Sequence, residues 1–102
     1  MDLMTQTGPI ARETLVAALS NDVASVDSGI ALTPTYTDWG VTIRLERQGR
    51  SLPWRVTMNQ AGQCGIYKPA TSYLPKVEGN YPANRHLAMR DDLLEFIRAG
   101  WI

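Results

Sequence analysis

The sequence predicts a small two-layer α+β domain, a three-stranded antiparallel sheet packed by an N-terminal and a C-terminal helix. Three observations carry this expectation. Residues 39–59 alternate apolar and polar positions on both sides of Gln48-Gly49, the pattern of a β-hairpin. Two segments, one opening at Pro9 and one after Asn84, place apolar residues at helical spacing. A chain of 102 residues holds one modest core and has no room for two, so residues 1–102 form a single domain.

Residues 1–8 are expected to be a flexible N-terminal segment. Pro9 suits the first turn of a helix, with Thr7 or Gly8 as its cap. Ala11, Leu15, Ala18 and Leu19 share one side of that helix, with Glu13 and Ser20 on the other. Ser20-Asn21-Asp22 offers a stop, while Val23 and Val26 continue the same stripe for two more turns. The pattern allows either end. Asp27-Ser28-Gly29 marks a turn. Pro34 breaks residues 30–36 as a strand, and this segment is read as extended chain along the sheet edge.

In the hairpin, Val41, Ile43 and Leu45 alternate with Thr42, Arg44 and Glu46. Leu52, Trp54, Val56 and Met58 alternate with Pro53, Arg55 and Thr57. A two-residue loop at Gln48-Gly49 opposes Leu45 to Leu52, Ile43 to Trp54, Val41 to Val56 and Trp39 to Met58, all on one face. Pro53 then occupies a non-hydrogen-bonded pair, with its missing N–H directed away from the first strand. Residues 64–68, reached through Asn59-Gln60-Ala61-Gly62, supply the third strand, which Pro69 ends level with Pro53.

Residues 69–84 contain Pro69, Pro75, Gly79 and Pro82 without periodicity, and read as a long irregular connection. Asn84 is expected to cap the second helix. Leu87, Met89, Leu93, Leu94, Phe96, Ile97 and Trp101 cover one broad half of it, while Asp91, Asp92, Glu95 and Arg98 fall largely on the other. Arg90 lies inside the apolar half, where an arginine either snorkels or meets a carboxylate from elsewhere in the fold.

Composition excludes several function classes. No apolar run approaches the ~20 residues that span a bilayer. The N-terminal residues lack a basic-then-apolar signal pattern, which makes a cytoplasmic location the expectation. One cysteine, Cys64, and one histidine, His86, exclude an intrachain disulfide and argue against a thiolate or imidazole metal site. No cofactor motif is present, so neither metal nor cofactor is expected.

Net charge is zero but unevenly spread. Residues 1–39 carry a net −4, residues 40–76 a net +5 and residues 77–102 a net −1. A basic middle between acidic ends suits an anionic partner, or is satisfied within the fold by acidic elements packed beside the hairpin.

The strongest binding signal is the arginine cluster. Arg44 and Arg55 lie on the polar sheet face, Arg47 and Arg50 bracket the turn, and Tyr67 falls on the same face as the first pair. Cation and aromatic interleave there, as on nucleic-acid surfaces. The competing reading is an exposed sheet face kept soluble by arginine. The 69–84 segment adds Tyr73, Lys76 and Tyr81 among prolines. Tyrosine supplies rigid contact area and proline lowers the entropy lost on binding, a composition suited to protein recognition.

Catalytic readings are weaker. A Cys64/His86 dyad needs a spatial proximity that sequence does not reveal. Asp91 and Asp92 diverge by about 100° on a helix rather than converging. Residues 59–65 resemble the segment before the papain-like nucleophile, but the nucleophile's position falls on Tyr67. The helix–three strands–helix order resembles the double-stranded-RNA-binding domain. The lysine-rich start of that family's second helix has no counterpart in residues 84–90, and no function is carried over.

The expectation is a non-enzymatic protein-binding module acting through Arg44, Arg47, Arg50, Arg55, Tyr67, Tyr73, Lys76 and Tyr81. Size and absence of cofactor motifs place it by analogy with small inhibitors or adaptors, such as phage or plasmid anti-defence and toxin-immunity proteins. Nucleic-acid binding through the same arginines is the alternative, and a small Cys/His enzyme the third reading. The edge formed by residues 41–47 carries no blocker and is expected to be open to a homodimer.

Overall fold

The computed structural model describes residues 10–68, 76–83, 85–100 and 102, with only the backbone for 76–80. Its elements are α1 (Arg12–Val26), β1 (Ile30–Thr37), β2 (Gly40–Arg47), β3 (Arg50–Asn59), β4 (Cys64–Lys68), β5 (Lys76–Tyr81) and α2 (His86–Arg98). The strands form an antiparallel meander in the order β1-β2-β3-β4-β5. The α+β class stands, but the sheet has five strands where three are expected.

Both additional strands contain residues that hide them from a sequence pattern. Pro34 lies in β1, which is an edge strand, where a missing N–H need cost no ladder bond. Around it the pattern does alternate, with Thr33, Thr35 and Thr37 on one face. The strand β5 contains Gly79 and pairs with β4 through an irregularity between Ile66 and Tyr67, so no period survives along it. One consequence concerns association. The 41–47 edge expected to be open is covered by β1 from Ile30↔Arg47 to Thr37↔Gly40, and β2 is an inner strand.

The hairpin register changes partway along. Gln48 (φ 53°) and Gly49 (φ 77°) both adopt left-handed backbone, as a two-residue type I′ turn requires. Next to the turn, Arg47 pairs with Arg50 and Glu46 with Ser51, as expected. Beyond it a bulge sets Leu45 against Leu52, Pro53 and Trp54, and pairing resumes at Arg44↔Arg55, Ile43↔Val56 and Val41↔Met58. The expected pairs Leu45/Leu52, Ile43/Trp54, Val41/Val56 and Trp39/Met58 therefore do not form. Proline has no N–H to offer a regular ladder, and the bulge accommodates it. The displacement is two residues, an even number, so every side chain keeps its face. Trp39 sits in the β1–β2 turn and is exposed.

The β3–β4 ladder ends at Arg55↔Tyr67, before Pro53 is reached, and Pro69, expected to end the strand, lies outside the described residues. The helix α1 runs through Ser20-Asn21-Asp22 to Val26, taking the longer of the two ends that the stripe allows. Its first bond is Leu15 N–H to Ala11 O at 2.9 Å, and Ala11 offers no side-chain cap. The N-cap positions are Ala11 for α1 and Arg85 for α2, in place of the expected Thr7 or Gly8 and Asn84, because each helix starts later than its apolar pattern suggests. The N-terminal segment and Trp101 lie outside the described residues.

The core lies between the helices and one sheet face. The helix α1 packs on β1 and β2, α2 packs on β4 and β5, and the helices touch each other. Leu15, Leu19 and Val23 from α1, and Met89 and Leu93 from α2, are fully buried against Val41, Ile43, Leu45, Val56 and Ile66. Trp54 meets Phe96 with ring centroids 5.7 Å apart at a tilt of 35°. Each such apolar side chain stabilises the fold by about 1.5–3 kcal/mol on burial. Arg90 bridges the helices, with Nη1 3.7 Å from Asp22 Oδ2 on α1 and Nη2 3.0 Å from Asp91 Oδ1. The anomalous arginine of the apolar half thus meets a carboxylate from elsewhere in the fold.

Gly40 opens β2 with φ 150°. A Cβ there would strike the carbonyl oxygen of Met58 and lie 2.9 Å from Asn59 Cα. Glycine lets β2 and β3 close at this end. Gly40→Ala is expected to lower unfolding free energy by about 2–4 kcal/mol in urea denaturation. A variant as stable as the parent would mean that this close approach is readily relaxed.

Candidate functional site

With both helices on one face, the opposite sheet face carries the polar set. Successive pairs Thr33↔Arg44, Arg44↔Arg55 and Arg55↔Tyr67 form one row across four strands. The next row is Thr35, Thr42, Thr57 and Gly65. Paired residues share a face, so Arg44, Arg55 and Tyr67 come together as the alternation implies.

The four arginines then separate by role. Arg44 is exposed, with Nη2 3.6 Å from Glu46 Oε1 on the same face. Arg55 is half-buried, and its Nη1 donates to the carbonyls of Leu52 (2.8 Å) and Trp54 (3.0 Å). Those carbonyls belong to the bulge, so Arg55 satisfies backbone acceptors where the ladder is interrupted. Arg47 lies on the helix-side face, where Nη2 meets Asp27 Oδ2 at 2.7 Å. Asp27 Oδ1 also accepts the Gly29 N–H at 2.9 Å, and Arg47 together with this bond holds the Asp27 carboxyl below its ordinary range. Arg50 is exposed at the start of β3.

The 69–84 segment divides as well. Tyr73 lies outside the described residues, and Lys76 is placed only by its backbone, opposite Lys68. Tyr81 ends β5 and packs against the core, where its hydroxyl donates to Asp92 Oδ2 at 2.5 Å. Burial, and then the Asp92 carboxylate, raise its phenol above the ordinary range. It holds α2 to the sheet, and it lies in a strand, Lys76–Tyr81, where an irregular connection over 69–84 is expected.

Sequence reasoning misses a second region at the end of the sheet beside the α1 N-terminus. A cleft of about 630 Å³ is lined by Ile10, Arg12, Tyr36, Asp38, Gly40 and Gln60, among others. Arg12 Nη1 donates to the carbonyls of Thr37 (2.6 Å) and Gly40 (3.0 Å), and its guanidinium lies 5.1 Å from the Tyr36 ring centroid. The Gln60 amide donates to the Asp38 carbonyl, tying the two turns together. Tyr36 and Trp39 are large exposed hydrophobic residues here. No spacing links residue 12 to residues 36–40, so only the isolation of Arg12 among the acidic residues of 1–39 hints at a special role.

Cys64 is buried and its Sγ lies 3.5 Å from the Gly62 carbonyl. Burial pushes its thiol up to about 11, which disfavours the nucleophilic thiolate near neutral pH. His86 is fully buried, and neither ring nitrogen makes a hydrogen bond among the described residues. Among the described residues no three His, Cys, Asp or Glu side chains group to hold a metal, and no helix is long and apolar enough to cross a membrane.

Comparison with protein-family models, curated proteins and solved structures found no match.

Two outcomes follow from this geometry. Arg55→Ala is expected to cost about 1–2 kcal/mol of stability, since it leaves the bulge carbonyls without their donor, while Arg44→Ala stays within about 0.5 kcal/mol. Urea titrations that rank the two variants equally would remove the bulge-capping role. Cys64 should resist alkylation at mildly alkaline pH in the native protein and react fully in denaturant. Rapid native labelling would reveal an accessible thiolate.

Proposed function

We propose that this chain is a non-enzymatic protein-binding module of the small inhibitor or adaptor type, and that its contact surface is the sheet face opposite the helices. The observation that carries this reading is the Arg44–Arg55–Tyr67 row, presented on a face that neither helix covers. Arginine and tyrosine are the residue types in which binding energy concentrates at protein interfaces. A pleated sheet holds them in fixed relative positions, which lowers the entropy lost on binding.

The arrangement supports a protein partner over nucleic acid. Phosphate binding draws affinity from several cations acting together. Of the four hairpin arginines, Arg47 is turned to the other face and paired with Asp27, while Arg55 is engaged by backbone carbonyls. The surface has few charges and specific geometry, as a protein contact requires.

Arg44→Glu tests this reading with little risk to the fold, because Arg44 is exposed and makes no backbone contact comparable to that of Arg55. Affinity capture from the native host, with the retained protein identified and then purified, should give a complex with the parent chain. The Arg44→Glu variant should bind that purified protein at least tenfold more weakly with an unchanged melting temperature. Undiminished binding would move the contact away from this face.

A further inference from the structure

Two like charges stand directly opposite each other on the sheet face opposite the helices. Arg44 and Arg55 are register partners on adjacent inner strands, where cross-strand neighbours have Cβ atoms about 4.5–5.5 Å apart. Like charges so placed oppose sheet pairing, and threonine, which occupies the positions beside them, would fill the Arg44 site without repulsion. Relief within the described structure is partial. Half-buried Glu46 stands 3.6 Å from exposed Arg44, a long contact to a solvated guanidinium that contributes little in water. Arg55 is held in place by neutral carbonyl oxygens, which fix its position without cancelling its charge. Arg55 has a task at the bulge, whereas Arg44 is set opposite it against the local rule with only Glu46 beside it among the described residues. Such a position marks a site whose compensation comes from outside.

We infer that the partner's contribution at this face is a carboxylate, an Asp or Glu side chain of a protein segment, received between Arg44 and Arg55 beside Tyr67. This rests on the protein-binding reading above and names the chemistry of its central contact. Guanidinium groups match a carboxylate in plane and in donor spacing, so one acidic side chain can bridge the opposed pair with directed hydrogen bonds and, together with Glu46, balance its charge. The bulge pre-positions Arg55, leaving Arg44 as the arm that exchanges Glu46 for the incoming group. Thr33, Thr35, Thr42 and Thr57 keep the surrounding surface short and flat, so a strand or loop can approach closely. Among the described residues, two cations against one carboxylate leave this face a single net charge, which suits one acidic side chain better than a phosphate backbone.

The test titrates the full chain with an oligoglutamate peptide and, in parallel, an oligothymidylate of equal charge, reading binding by calorimetry at low salt. The peptide is expected to bind and the Arg44→Thr variant to bind it about tenfold more weakly. Arg98→Thr, a charge-matched control on the exposed side of α2, should retain parent affinity. Failure of the peptide to bind, equal binding by Arg44→Thr, or preference for the oligonucleotide would each overturn the inference. The protein-binding reading is judged separately by the Arg44→Glu result with the purified partner. A partner lost in Arg44→Glu while the oligoglutamate goes unbound would keep the surface and discard the carboxylate.

Discussion

The two-residue period of side chains along β2 and β3 is the constraint on which the rest of the molecule depends. It sends Val41, Ile43, Leu45, Trp54, Val56 and Met58 to one face, and all six are buried. The helices cover that face because their own apolar stripes require burial against it. Every property of the opposite face, including the row from Thr33 to Tyr67, is the other half of the same alternation. The bulge at Pro53 shows how strong the constraint is. The register slips, yet only by an even count, because an odd slip would turn Trp54 and Leu52 outward.

Charge is segregated along the chain and partly recombined by folding. The acidic N-terminal third contributes Asp27 to Arg47 of the hairpin and Asp22 to Arg90 of α2, so two carboxylates of α1 and its C-terminus tie down cations from later elements. Arg12, the lone cation of that third, fastens the helix start to the β1–β2 turn through backbone carbonyls. The excess positive charge of the middle segment is therefore not all available at the surface. Arg44 and Arg55 remain together on the sheet face, and only one carboxylate accompanies them there among the described residues.

Much of the fold was legible from residues 39–68, and less from the segments around them. The turn at Gln48-Gly49, the face assignment, the third strand and the two helices all express local preferences that a short window contains. Pro34 concealed β1 because a sequence pattern cannot tell an edge strand from an interior one until the neighbours are known. The candidate site was legible to the same depth. That Arg44, Arg55 and Tyr67 share a face followed from alternation, whereas the separate fate of Arg47 did not, although its odd position already placed it on the apolar side with Leu45. Tyr81 read as part of a recognition loop because nothing local connects it to Asp92.

By itself, then, the sequence determined direction: which side chains in the hairpin point to the core, where the chain turns, and which helical stripes need burial. These are short-range matters of backbone geometry and apolar spacing. Tertiary structure alone decided partnership. It placed β1 and β5 on the two edges, closed the 41–47 edge, set Arg55 on the bulge carbonyls and opposed Arg44 to Arg55. The physical reason is that such pairings join residues far apart in the chain, and their free energy belongs to the assembled sheet rather than to any one segment.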